Sequence, residues 1–260
     1  MGRNGGNPFL HLAGALILAA ALAMVPQRAG AADALIAVAT NFLDTARAVA
    51  EGFEARTGHR VTFTAGATGK LYAQIAAGAP FDVLLAADQA RPALLEAEGR
   101  AVAGSRFTYA TGRLALWSAD PARVGPDGAA VLEAGDFRVL AIANPDLAPY
   151  GIAARETLQS LGLWDRLGPR VVMGQNIGQT LALVATGNAE LGLVALAALR
   201  APGSTLGGSA WEVPADLHAP IRQDAVLLAR GAENPAARAF LDHLQGPEAR
   251  AVIARFGYGG

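Results

Sequence analysis

Residues 35–98 read LIAVATNFLDTARAVAEGFEARTGHRVTFTAGATGKLYAQIAAGAPFDVLLAADQARPALLEAE. The run Leu35-Ile36-Ala37-Val38-Ala39 predicts a buried strand. Residues 44–56 carry a helical apolar face through Ala48, Val49 and Phe53, and Gly58 ends it. Residues 61–65 predict a second strand, and residues 71–77 a helix that stops at Gly78. Residues 81–86 predict a third strand and residues 88–98 a third helix. Strand and helix alternate three times, which predicts an α/β fold with a parallel sheet and helices on both faces.

A second unit of the same kind follows. Residues 114–117, 139–142, 170–173 and 191–195 predict strands; residues 152–161 and 177–186 predict helices. The chain then returns to a strand at 225–229 and two helices at 235–245 and 247–255. Residues 202–209, rich in Gly and Ser, read as a surface loop rather than a domain linker. Two units with a C-terminal return predict two lobes: residues 33–112 plus 221–260, and residues 113–220, joined by more than one crossing strand. Ligands of such sheets bind beyond the carboxyl ends of the strands, so the expected site is the cleft between the lobes.

The N-terminus is a separate matter. Arg3 is followed by an apolar run at residues 10–25 and by the small residues Ala29-Gly30-Ala31-Ala32. That order predicts a secretory signal peptide over residues 1–31, cut after Ala31 or Ala32. The run is shorter than the ~20 residues of a spanning helix. The chain has no cysteine. Acylation at the cleavage site is therefore not expected, nor is disulfide support. A periplasmic location fits best. The 21 Lys and Arg less Arg3 and Arg28 leave 19, against 22 Asp and Glu. No basic face for nucleic acid is implied.

Four strand-to-helix turns are polar and glycine-rich. They are Ala39-Thr40-Asn41-Phe42, Gly66-Ala67-Thr68-Gly69-Lys70, residues 144–151, and Gly174-Gln175-Asn176-Ile177-Gly178-Gln179. A helix start offers unpaired N–H groups and the positive end of the helix dipole, so each is a ready anion site. Thr40, Asn41, Thr68 and Tyr150 add neutral side-chain donors. The same residues are also ordinary helix caps, and spacing does not separate the two readings.

Other chemistries find little support. The segment from Gly66 to Lys70 lacks the earlier glycine of a phosphate-binding loop, and Leu71 stands where Ser or Thr would hold magnesium. His59, His218 and His243 have no metal-ligand spacing, and His59 reads as a surface residue. No serine occupies a G-x-S-x-G elbow. Asp82 and Asp88 read as capping or cleft-edge residues, and Lys70 as a solvated lysine. No enzyme, cofactor or metal ligand set is expected.

The segments 38–42, 66–75, 78–83 and 87–89 together resemble the periplasmic molybdate-binding proteins. So do residues 148–154, Leu191-Gly192-Leu193-Val194 and the stretch from Phe240 to Ala249. The resemblance implies a type II periplasmic-binding-protein fold, two Rossmann-like lobes with the ligand between them. It implies capture of molybdate or tungstate for the membrane permease and ATPase of an ABC importer, as a monomer. Another small oxyanion, such as sulfate or thiosulfate, is the alternative. Carried over by position, the ligand contacts fall on Thr40, Asn41, Thr68, Tyr150 and the backbone of Ile177, with Gly69 and Ala195 as further candidates. Some relatives place a tyrosine where this chain has Ala195.

Overall fold

The computed structural model describes residues 1–2 and 30–259. The expected signal peptide, residues 1–31, falls almost wholly outside the described residues. Among the described residues no helix is long and apolar enough to cross a membrane.

Among the described residues ten strands form two five-stranded sheets. In the first, β1 (Asp33–Ala39) pairs in parallel with β2 (Arg60–Gly66) and β3 (Val83–Leu85). Next comes β10 (Ile221–Leu227), antiparallel to both β3 and β4 (Phe107–Gly112). The second sheet is built the same way. Here β6 (Leu140–Ala143) runs parallel to β7 (Val171–Gly174) and β8 (Leu191–Ala195). Then β5 (Leu114–Ser118) runs antiparallel to β8 and to β9 (Ser209–Glu212). The sheets are therefore mixed, not wholly parallel as the strand–helix alternation predicts. The antiparallel members β5 and β10 are the strands that follow the two crossings between sheets. A crossing chain arrives from the other lobe rather than through a helix of its own, and nothing forces it to run parallel.

Ten α-helices are described: α1 (Leu43–Thr57), α2 (Thr68–Ala76), α3 (Ala90–Ala97), α4 (Gly128–Ala134), α5 (Pro149–Ser160), α6 (Trp164–Leu167), α7 (Ile177–Ala185), α8 (Leu196–Arg200), α9 (Pro235–Gln245) and α10 (Pro247–Arg255). Strand alternation sorts the core. Ile36, Val38, Val83 and Leu85 face α1, α9 and α10 through Phe53, Phe240 and Ile253. Ala37 and Leu84, one position out of step, face α2 and α3 through Leu71, Ile75 and Leu95. The second lobe repeats this. Leu140 and Ile142 meet Ala154 and Leu158 of α5, while Ala141 meets Val184 of α7.

His59 is buried, not on the surface: its Nδ1 accepts the Ala32 N–H at 3.1 Å, and its ring stacks on Phe53. Asp82 accepts the Leu35 N–H at 2.8 Å. Asp88 accepts the Arg91 N–H at 2.9 Å at the start of α3 and pairs with the Arg91 guanidinium at 2.5 Å. Lys70 is exposed.

Candidate functional site

The ends of β1, β2, β6 and β7 deliver four chain turns to one place between the lobes. Thr40 opens a short 3-10 helix, Thr40–Phe42, that leads into α1. Thr68 is the first residue of α2, Tyr150 the second of α5, and Ile177 the first of α7. With Asn41 and Asn176 they line one cavity. It is small, far below the about 300–1,000 Å³ typical of pockets for organic ligands. Among the described residues no charged side chain lines it. A larger surface hollow lies elsewhere and mixes Asp44 and Glu51 with Arg47 and Arg255, a poor setting for a dianion.

The donors can be followed one by one. Thr40 Oγ1 is buried and has no protein partner among the described residues. Thr68 is buried, and its hydroxyl oxygen accepts the Ala87 N–H at 3.0 Å. Its proton stays free to donate. In α5, Pro149 has no N–H, and the N–H groups of Gly151 and Ile152 both go to Ala148 O. Tyr150 holds the one other N–H of that first turn. In α7, the Asn176 side chain caps Gln179 N at 3.0 Å, leaving Ile177 and Gly178 as the first-turn donors. The dipoles of α2, α5 and α7 point their positive ends at the same space.

Three of the expected contacts stand differently. The Gly69 N–H is already given to Leu147 O, 2.9 Å away in the other lobe. It fastens the lobes together rather than facing the cavity. Ala195 does not line this cavity but a neighbouring one, beside Thr45, Leu181 and Phe256. It ends a strand whose following helix, α8, packs against the segment Thr40–Phe42 of the first lobe. Asn41 lines the cavity, yet its Nδ2 is turned inward, donating to Gln223 Oε1 at 2.9 Å and to the Tyr258 phenol oxygen at 3.2 Å. What Asn41 can offer a ligand is its backbone.

Behind the cavity lies a buried polar cluster that the turn motifs do not reveal. Gln223 is fully buried on β10, where the pairing register shifts between Gln223 and Asp224. Such a shift lets two consecutive polar residues point inward. Gln223 Nε2 donates to the Tyr150 phenol at 3.5 Å. Burial raises the Tyr150 phenol well above its ordinary value, against the lowering effect of the Gln223 bond. Tyr109 and Tyr258, also buried, are raised for the same reason. All three keep their protons at neutral pH. Among the described residues no group of acidic or histidine side chains could hold a metal.

Closure is tight on the α7 side. A Cβ on Gly178 would come within 2.6 Å of the Thr40 methyl, so only glycine lets α7 approach the first lobe this closely. The strand ends of the first lobe, Ala39, Ala67 and Ala87, pack in one apolar cluster with Ala148, Tyr150 and Ile177 of the second.

Comparison with known proteins agrees with this architecture. Residues 34–259 match the family described as bacterial extracellular solute-binding protein. The molybdate-binding protein ModA of Azotobacter vinelandii is 50% identical over 244 residues, covering 94% of this chain and 96% of that protein. ModA of Rhodobacter capsulatus is 49% identical, covering 95% of each. The solved structure of the A. vinelandii periplasmic molybdate-binding protein superposes with a TM-score of 0.84 at 42% identity, covering 87% of this chain and 99% of that one. The chain therefore belongs to the bacterial extracellular solute-binding proteins, in the family of the molybdate-binding protein ModA.

Proposed function

We propose that this protein is the substrate-binding component of a molybdate ABC importer. It captures molybdate, and tungstate with it, in the cavity between its lobes. The observation that carries the reading is the donor set. Hydroxyls and first-turn N–H groups from both lobes converge on one small cavity with no charged lining. Such a cage recognises a fully deprotonated oxyanion, because every inward group donates. A hydrogen bond to a charged partner contributes about 1.5–3 kcal/mol, so a handful suffices without a counter-ion.

Thr40 and Thr68 would donate their hydroxyls. Asn41, Tyr150 and Ile177 would donate backbone N–H groups, and the Tyr150 phenol would add a further donor. The anion would be bound and released unchanged; the residues lining the cavity, among those described, donate hydrogen bonds and carry no charge. The protein would act as a periplasmic monomer, exported by residues 1–31 and not acylated, and would deliver its cargo to a membrane permease and its ATPase.

Cage size would select the anion. The longer metal–oxygen bonds of molybdate and tungstate reach donors that sulfate leaves under-contacted. Calorimetric titration with molybdate, tungstate, sulfate and phosphate tests this. Tight molybdate and tungstate binding with weak sulfate binding is expected; tight sulfate binding with no molybdate response would overturn it.

A further inference from the structure

The hydrogen bonds around Gln223 form a chain in which each proton assignment forces the next. Tyr258 donates its one hydroxyl proton to Asn41 O at 2.7 Å. Its oxygen can then only accept from the Asn41 side chain at 3.2 Å, so the atom facing it is Nδ2. The other proton of Nδ2 goes to Gln223 at 2.9 Å, so the atom there is Oε1. Tyr109 approaches the same oxygen at 3.1 Å. The far end of the Gln223 amide is therefore Nε2, a donor, 3.5 Å from the Tyr150 phenol. The phenol oxygen also accepts a backbone hydrogen bond from Arg113. With its oxygen accepting from both, Tyr150 has one proton left, and no hydrogen bond among the described residues gives that proton a protein acceptor.

We propose that Gln223 is a positioning residue that holds the Tyr150 phenol as a donor toward the anion cavity. Gln223 itself is fully buried and does not line the cavity. Its effect is on polarity. With the amide flipped, its carbonyl would take the phenol proton, and Tyr150 would turn a lone pair toward a dianion. Asn41, fixed from behind by Tyr258, forbids that flip.

The chain also joins the lobes. Tyr150 belongs to the second lobe, and Asn41, Tyr109 and Tyr258 to the first. Gln223 lies just after the chain crosses back. The other crossing makes room for the contact. A Cβ on Gly112 would sit 2.3 Å from the Tyr150 hydroxyl and 2.8 Å from Gln223 Nε2.

This inference rests on the reading of the cavity as a molybdate site, and the test separates the two. Molybdate affinity is measured by calorimetry for the wild type, Gln223→Met, Tyr150→Phe and the double variant. Methionine keeps the length of glutamine and removes both polar ends. Each single variant should bind about tenfold more weakly, the worth of one hydrogen bond to an anion. The double variant should bind no more weakly than Tyr150→Phe alone, because Gln223 acts only through the phenol. A merely structural Gln223 would instead multiply the two losses, and that result overturns the inference, as does wild-type affinity in Gln223→Met. Should Gln223→Met not fold, Tyr258→Phe enters the same cycle; coupling to Tyr150→Phe supports the relay, and independence overturns it. A wild type that does not bind molybdate overturns the functional reading itself, and this inference with it.

Discussion

The hydroxyl of Thr68 and the backbone N–H of Ala87 meet at 3.0 Å, inside the first lobe. One contact thereby fixes two things: it satisfies a buried amide, and it aims the Thr68 proton at the cavity. Thr68→Val is expected to weaken molybdate binding about tenfold or more. It should also cost about 1–3 kcal/mol of stability, because the Ala87 N–H loses its acceptor. Thr68→Ser should keep both. Calorimetry and urea denaturation of the pair check this; an unchanged midpoint for the valine variant would contradict the second effect.

Gly178→Ala should separate closure from folding. The added methyl meets Thr40 at 2.6 Å only when the lobes are together. The ligand-free melting temperature should stay within a degree or two. Overpacking of the closed form by about 1–3 kcal/mol should lower molybdate affinity about ten- to a hundredfold. Small-angle scattering in saturating molybdate should show a wider molecule than the wild type does; identical scattering and affinity would refute the steric argument.

Affinity should be flat from pH 7 to 10. Burial raises the Tyr150 phenol well above its ordinary value, so the proton it donates persists through that window. The sign follows: a raised value means the donor is lost only as pH climbs past it. A phenol at the ordinary ~10 would already be half ionised at pH 10 and would repel the anion. Titrations at pH 7, 9 and 10 decide, and a decline centred near 10 would mean that the phenol is not buried as described.

Asp224 offers a stability test away from the anion. Its side chain is 1% exposed and pairs with Arg106 at 2.7 Å. It also accepts from Thr108 at 2.6 Å and Gln89 at 3.2 Å. Asp224→Ala strands those donors. Breaking a buried pair costs about 3–5 kcal/mol, and the half-exposed Arg106 brings the expected loss to about 2–3. Urea denaturation measures it; a loss under 1 kcal/mol would show that water replaces the carboxylate.

The alternation that fixes the two-lobed architecture was legible because buried strands such as β1 and β6 are short apolar runs, each followed by a polar turn and a helix. The edge strands β4 and β9 escape a reading by hydrophobic runs. Residues 107–112 and 209–212 lie at sheet margins, where polar residues are tolerated. The direction of β5 and β10 is a property of the path between lobes and leaves no local mark. Among the candidate site residues, Thr40 and Thr68 stood out because donors before a helix are a local pattern, whereas Ile177 entered through the family resemblance. Gln223 did not. Its partners Asn41 and Tyr150 lie 182 and 73 positions away, and residues 221–224 look like a polar loop until they pair with β4.

The bond from Gly69 to Leu147 joins two protein groups, so it favours the shut shape whether or not cargo is inside. That bias reduces the free energy the anion must supply to complete closure, and so raises apparent affinity. It also narrows the difference in outline between loaded and empty copies. A permease that judged shape alone would then spend its cycles on vacant carriers. For such a permease, how long a copy stays shut, rather than whether it is shut, would be the signal that separates a full delivery from a futile one.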